Sequence, residues 1–209
     1  MSNYLIVPVE SGALAGGADS LKSSLSTDTT LGTPGTYVLS QSNGDITTNG
    51  SGKFASIICV IAAGQTTLSA TTGKVGVAAG SQGYGYAVGD TITIPAGKLG
   101  ATSTEAVLTL VSADVFDGAP VAGEILVEVD DLALVLCPGV AEAKIQYLHG
   151  YDTGGGTPRE VYMIISPSYP SAQALTNAFS DSISKCISAE NSQNILDLGD
   201  SKVVSVSFG

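Results

Sequence analysis

Residues 83–94, Gly-Tyr-Gly-Tyr-Ala-Val-Gly-Asp-Thr-Ile-Thr-Ile, decide the fold class of this chain. Glycine admits positive φ without a steric penalty, so Gly83-Tyr84-Gly85 and Gly89-Asp90 read as turns. Thr91–Ile94 then alternates polar and apolar residues with the period of a half-buried strand. Outward from this corner the same grammar repeats. Asn43-Gly44 and Asn49-Gly50 are strong turn signals. Tyr37–Leu39, Lys53–Ala62, Thr72–Ala78, Thr91–Pro95 and Ala106–Val115 are strand-like runs. Short strands at this spacing with glycine turns predict a small antiparallel sheet or barrel.

On either side the pattern changes. Residues 3–9 (Asn-Tyr-Leu-Ile-Val-Pro-Val) read as a short strand, with Pro8 favouring a sheet edge or a strand end. Residues 10–35 are rich in Gly, Ser and Thr, a loop with room for one helical turn around Asp19–Leu25. Beyond Gly118-Ala119-Pro120, Glu124–Val129 and Leu132–Cys137 are β runs separated by a bend at Asp130-Asp131. Lys144–His149 and Arg159–Ser166 are further strands around the loop Gly150–Pro158, and Lys202–Phe208 is an alternating terminal strand. One helix is expected over about residues 170–188. Pro170 sits near its start, and Leu175, Phe179, Ile183 and Ile187 recur every four residues beside Ala178 and Cys186, as on a core-facing stripe. The expected fold is mainly β, with antiparallel sheets or a small barrel and one C-terminal amphipathic helix in an α+β unit. The expected domains are 1–35, a strand and loop pairing with the C-terminal unit; 36–116, the β module; and 117–209, the α+β unit.

Composition narrows the function. With 209 residues the chain is long enough for one large domain or two small ones, and needs no metal or disulfide to hold a core. Hydrophobic residues make up 44% and charged residues only 13%, against about 25% charged in ordinary globular chains. Ser, Thr, Gly and Asn must therefore cover the surface, or neighbouring copies must. The formal net charge is −11, and the eight basic residues are scattered from Lys22 to Lys202. Phosphate neutralisation, and with it nucleic-acid binding, is disfavoured, as is attachment to an anionic membrane. No apolar stretch approaches the roughly 20 residues of a membrane span. Cys59, Cys137 and Cys186 lie far apart, Cys59 and Cys137 in apolar runs and Cys186 beside Ile187, and read as buried free thiols. The start, Met1 to Val9, lacks a basic segment and a long apolar core, so synthesis in the cytosol is expected.

Catalytic vocabulary is sparse. His149 is the single histidine, so every imidazole-based dyad, triad or metal site would have to use it. Asp152-Thr153-Gly154 spells the aspartic-protease tripeptide, but that chemistry needs two carboxylates and there is no second copy. Gly50-Ser51-Gly52-Lys53 departs from a phosphate loop, with Thr47 in place of the first glycine and Phe54 in place of the hydroxyl residue. Gly83-Tyr84-Gly85 lacks the third glycine of a dinucleotide fingerprint, since Val88 stands there. Asp114, Asp117, Asp130 and Asp131 are loop carboxylates that read as solvated charge, with Ca²⁺ ligation as the alternative, although no EF-hand spacing is present. Asn49-Gly50-Ser51 is a glycosylation sequon that also reads as a turn. Tyr84, Tyr86, Tyr151, Tyr162 and Tyr169 offer aromatic rings for a sugar surface, or close strand ends with the hydroxyl exposed. The residues thus nominate no catalytic, cofactor-binding or metal-binding group, and a non-enzymatic role is expected.

The block 34–116 resembles a module of structural proteins of marine bacteriophages and large algal viruses. The resemblance rests on Gly35-Thr36-Tyr37, on Gly50-Ser-Gly-Lys-Phe-Ala55, and on Gly-Tyr-x-x-Gly-Asp-Thr-Ile-x-Ile-Pro at Gly85–Pro95. Leu99-Gly100 and the closing strand Ala106–Leu110 also fit it. The tail, with its strand, Ala/Ser/Asn-rich helix and final apolar strand, is similar to short marine-phage structural proteins that open with an Ile-Pro-Val strand, here Leu5–Val9. These resemblances imply a virion protein in many copies, a capsid decoration, cement or minor capsid component or a tail component. Its partners would be itself and other virion proteins, and it would need no cofactor. Similar Gly-Tyr-x-x-Gly-Asp hairpins in bacterial adhesins imply the alternative, a surface adhesion or glycan-binding module.

Overall fold

The computed structural model describes residues 3–116, 123–129, 132–147, 160–188 and 193–208. In chain order the first strands are β1 (Tyr4–Val9), β2 (Ala13–Leu14), β3 (Leu25–Thr27), β4 (Gly35–Ser40), β5 (Thr47–Thr48) and β6 (Ser56–Ile61). There follow β7 (Lys74–Val77), β8 (Thr91–Ile94), β9 (Ala106–Thr109), β10 (Val115–Phe116) and β11 (Gly123–Glu128). The last elements are β12 (Leu132–Leu136), β13 (Glu142–Tyr147), β14 (Glu160–Ser166), α1 (Ala172–Ser188), β15 (Gln193–Ile195) and β16 (Lys202–Phe208). The protein is mainly β with one C-terminal helix. It divides into two compact units: Gly12–Asp117, and Met1–Ser11 together with Gly118–Gly209.

The Gly12–Asp117 unit is a β-sandwich. A four-stranded sheet in the order β3-β9-β8-β5 and a three-stranded sheet β4-β6-β7 share one core. Period-two alternation supplies it: Ile57, Cys59 and Ile61 point inward from β6, Ile92 and Ile94 from β8, and Ala106 and Leu108 from β9. The strand read at Thr91–Ile94 forms as β8, paired antiparallel with β9 in the register Thr91↔Thr109 to Ile94↔Ala106. The boundary expected at residue 36 moves to Gly12. Leu14, Leu21 and Leu25 enter the sandwich core, β2 pairs β10 and β3 pairs β9. The helical turn expected at 19–25 is a short 3-10 turn, Lys22–Ser24. Asn43-Gly44 makes its turn, with Gly44 at φ +70, but closes no hairpin. The flanking β4 and β5 pair with β6 and β8, in different sheets, so this turn hands the chain across the sandwich. The dipeptide sets local backbone geometry, while burial of Leu39 and Ile46 chooses the partners.

The other unit is a seven-stranded sheet on the path β11-β1-β16-β14-β13-β12, with β15 also beside β1. Its first strand is internal, and Pro8 fits there for a specific reason. Ile6 O accepts from Leu196 N, and Glu10 N donates to Val203 O, so the backbone of alternate residues faces β15 and β16. Between Ile195 and Lys202 the chain leaves that side of β1, and Pro8 lies opposite the gap, where a missing N–H breaks no ladder. The edge strands β11 and β12 are consecutive in the chain. Glu128 and Leu132 are four residues apart, a span of at most about 14 Å, whereas the edges of a flat six-strand path lie roughly 24 Å apart. The sheet must curl, and α1 packs in its concavity against β1, β12 and β15.

Ser171 caps α1, accepting from Ala174 N at 3.1 Å, with Pro170 just outside the cap. Leu175, Phe179, Ile183 and Cys186 are buried against Leu5, Val7, Ala143, Ile145, Val161 and Met163. Ile187, expected on the same stripe, is 59% exposed. Each four-residue step overshoots a helical turn by about 40°, so three steps from Leu175 carry Ile187 about 120° off the buried face. Cys186 takes the inward place, its Sγ 3.4 Å from Tyr4 O.

Candidate functional site

The sequence corner at 83–94 is organised around Tyr86, which is buried. Its hydroxyl donates to Gln41 Oε1 at 2.7 Å, and Gln41 Nε2 donates to Gly52 O at 2.8 Å. Glycines surround it because nothing larger fits: a Cβ on Gly52 would lie 2.2 Å from Tyr86 Cδ1, and one on Gly83 2.9 Å from Cε2. Burial, reinforced by nearby Asp90, pushes the phenol well above its ordinary pKa. Asp90 builds the second turn, accepting from Ala87 N at 2.9 Å, while Gly89 N donates to Leu110 O and Leu110 N donates back to Asp90 O. Tyr84 is half-buried, its ring 5.7 Å from that of Phe54. The glycines thus serve packing, and Tyr86 is buried with its hydroxyl bonded to Gln41.

The other nominated residues are dispersed. Asn49 accepts from Thr91 N at 2.7 Å, tying the sequon into the sandwich. Lys53 exchanges backbone hydrogen bonds with Tyr84. Cys59 is buried, which pushes its thiol up to about 12, and Cys186 is buried as well. Cys137 is half-buried, its thiol also raised by desolvation. Asp117, Asp130, Asp131, His149, Tyr151 and Asp152-Thr153-Gly154 lie outside the described residues. Among the described residues no three His, Cys, Asp or Glu groups gather to hold a metal, and no helix is long and apolar enough to cross a membrane.

Asp114, read as solvated charge, is fully buried. Its Oδ2 accepts from Val111 N at 2.7 Å and from the Ser24 hydroxyl, joining the last turn of the sandwich to the 3-10 segment. Removing it leaves the Val111 amide and the buried Ser24 hydroxyl without their acceptor. We expect Asp114→Ala to lower unfolding free energy by about 2–4 kcal/mol, measured by urea denaturation. A change within about 0.5 kcal/mol, the range of ordinary surface substitutions, would contradict the structural role.

What the sequence reading missed is the outer face of β12, β13 and β14, opposite α1. Leu134, Leu136, Val140, Tyr162 and Ile164 are each exposed by about two-fifths there. An ion pair stands among them. Lys144 Nζ lies 2.6 Å from Glu160 Oε1, Gln146 Nε2 donates to the same oxygen at 2.6 Å, and the Tyr162 hydroxyl donates to Oε2. Lys144 also sits 5.0 Å from the Tyr162 ring centroid. Lys144 first, then Tyr162 and Gln146, hold the Glu160 carboxyl down to about 2, and Glu160 in turn raises Lys144. A shallow groove of about 320 Å³ runs along Pro138, Glu142, Lys144, Tyr162 and Ile164. Alternation in β13 and β14 is the signal that reveals this face, but only strand pairing brings Lys144 and Glu160 together.

The ion pair has a pH signature. Glu160 is depressed from 4.5, so its contribution to stability is full above the unfolded value and is lost as pH falls toward about 2. We expect the Glu160 carboxyl to remain ionised at pH 3 in a carbon-detected NMR titration, and Glu160→Gln to flatten the acid limb of the stability profile. A Glu160 midpoint near 4.5 would remove the cluster.

The arrangement offers no nucleophile, base or oxyanion donors converging on one point among the described residues. It offers exposed apolar side chains around a Lys144–Glu160 pair whose two charges neutralise each other, with the Glu142 carboxylate beside them. Comparison with protein-family models, curated proteins and solved structures finds no match to this chain.

Proposed function

We propose that this chain is a non-enzymatic structural protein of a virion, made in the host cytoplasm and assembled in many copies as a capsid decoration, cement, minor capsid or tail component. The outer face of β12–β14 carries the proposal. Leucine, valine, isoleucine and tyrosine stand there beside an ion pair that is hydrogen-bonded within the same face. Charges satisfied in this way can be covered by a neighbour without stranding an unpaired ion. Leu134 and Leu136 on β12 and Tyr162 and Ile164 on β14 flank the polar outer side chains of β13, and exposed apolar residues clustered around satisfied polar groups mark an interaction surface. The weakly charged, net-acidic chain suits packing against other proteins better than binding nucleic acid. Of the five tyrosines offered to the glycan-binding alternative, Tyr86 is buried and gives no surface ring. Mass spectrometry of purified virions from infected cells is expected to find the chain at tens of copies or more per particle. Its absence from the particles, with the chain present in the infected lysate, would overturn the proposal.

A further inference from the structure

We propose that the open edge of β12 pairs antiparallel with the same edge of a second copy, joining two curled sheets across a two-fold axis at Val135. Among the described residues β12 pairs only with β13, so its far side presents unpaired backbone donors and acceptors. Open edges attract other strands unless they are guarded, and charge is the usual guard. The opposite edge, β11, carries Glu124 and Glu128, whereas Leu132-Ala-Leu-Val-Leu136 carries no charge. With a net charge of −11 on each chain, the uncharged edge is where a second copy approaches with least repulsion.

The register follows from the strand itself. Against β13 the ladder is irregular between Leu132 and Leu134, and Pro138, which has no N–H, follows on the other side. The regular stretch is Leu134–Leu136. Leu134 and Leu136 point outward, while Val135 and Cys137 pack toward the core. Residues directly opposite in an antiparallel pair lie on the same face. Centring the pair on Val135 sets Leu134 against the partner's Leu136 twice, on the outer face, and Val135 against itself on the inner face. A shift of one residue would set outer leucines against inward residues. The same patch meets itself, as a two-fold contact requires, and the outer leucines of the two β12 strands form one apolar strip across the axis.

This inference deepens the proposed assembly role by naming one of its contacts, and the two fail separately. Virion mass spectrometry tests the role, whereas the contact is tested on the isolated full-length chain. Sedimentation equilibrium is expected to give about twice the 20.9 kDa chain mass. Leu134→Lys with Leu136→Lys should return the chain mass with an unchanged far-ultraviolet spectrum, while Leu126→Lys on the opposite edge should leave the dimer intact. Leu134→Cys with Leu136→Cys, in a Cys137→Ser background, should form interchain disulfides on oxidation. A wild-type chain that stays monomeric at several hundred micromolar would overturn the proposal. So would loss of the dimer in Leu126→Lys with retention in the β12 variant, or a dimer that forms no interchain disulfide.

Discussion

Gly52→Ala is expected to destabilise the sandwich by about 3 kcal/mol or more, at the upper end of what overpacking costs. With a urea dependence of about 2 kcal/mol per M, the unfolding midpoint should fall by roughly 1.5 M. The new methyl would stand 2.2 Å from Cδ1 and 2.3 Å from Cε1 of Tyr86, well inside van der Waals contact. The ring has no retreat: Gly83 closes on its Cε2, its own backbone lies against Gly12, and its hydroxyl is anchored through Gln41 to Gly52 itself. Because the obstacle is one ring, the effects of Gly52→Ala and Tyr86→Leu should not add. The double variant should be more stable than the sum of the singles predicts by at least about 1 kcal/mol, as expected for residues in contact. Strict additivity would show that the ring is not what the methyl meets. Tyr86→Phe, which keeps the ring and loses only the bond to Gln41, should cost about 1–2 kcal/mol.

The second large effect concerns the other core. Phe179→Ala should cost about 3–5 kcal/mol, because the ring is fully buried between α1 and the curled sheet and the surrounding Leu5, Ile145 and Met163 can only partly close the void. Ile187→Ala, two predicted stripe positions further on, should change stability by no more than about 0.5 kcal/mol. Both substitutions are measured by chemical denaturation followed by helix signal in the far ultraviolet. The contrast tests the rotation of the helix as well as its burial. Comparable losses at both positions would mean that the buried face follows the four-residue stripe and not the 3.6-residue helical repeat.

The strands and the helix were legible because their signals are local. Alternation in Thr91–Ile94 and the recurrence of Leu175, Phe179 and Ile183 each lie within a few residues, and each forms as read. The outer face of β12–β14 was not legible, because Lys144 and Glu160 come together only when β13 pairs with β14. Asp114 was misread for a related reason. A carboxylate in a Gly/Ser/Thr-rich chain looks solvated until Ser24, 90 residues away, closes over it. The tyrosines of the corner looked alike in sequence, yet Tyr86 is enclosed by three glycines, while Tyr84 is half-buried with its ring beside Phe54.

By itself the amino-acid order determined the fold class, the turns and one helix, since backbone preference and hydrophobic period act over a few residues. It also restricted the chemistry, because a single histidine and scattered carboxylates leave few ways to build a reactive centre. Which strands share a sheet was decided only in three dimensions. Asn43-Gly44 bends the chain identically whether or not it closes a hairpin, and the buried faces of Leu39 and Ile46 choose where each strand goes. The place of residues 12–35, the internal seat of Pro8, the curl that brings β11 toward β12 and the uncharged open edge of β12 are of the same kind. Each depends on contacts between residues far apart in the chain, whose free energy arises only when both partners leave water together.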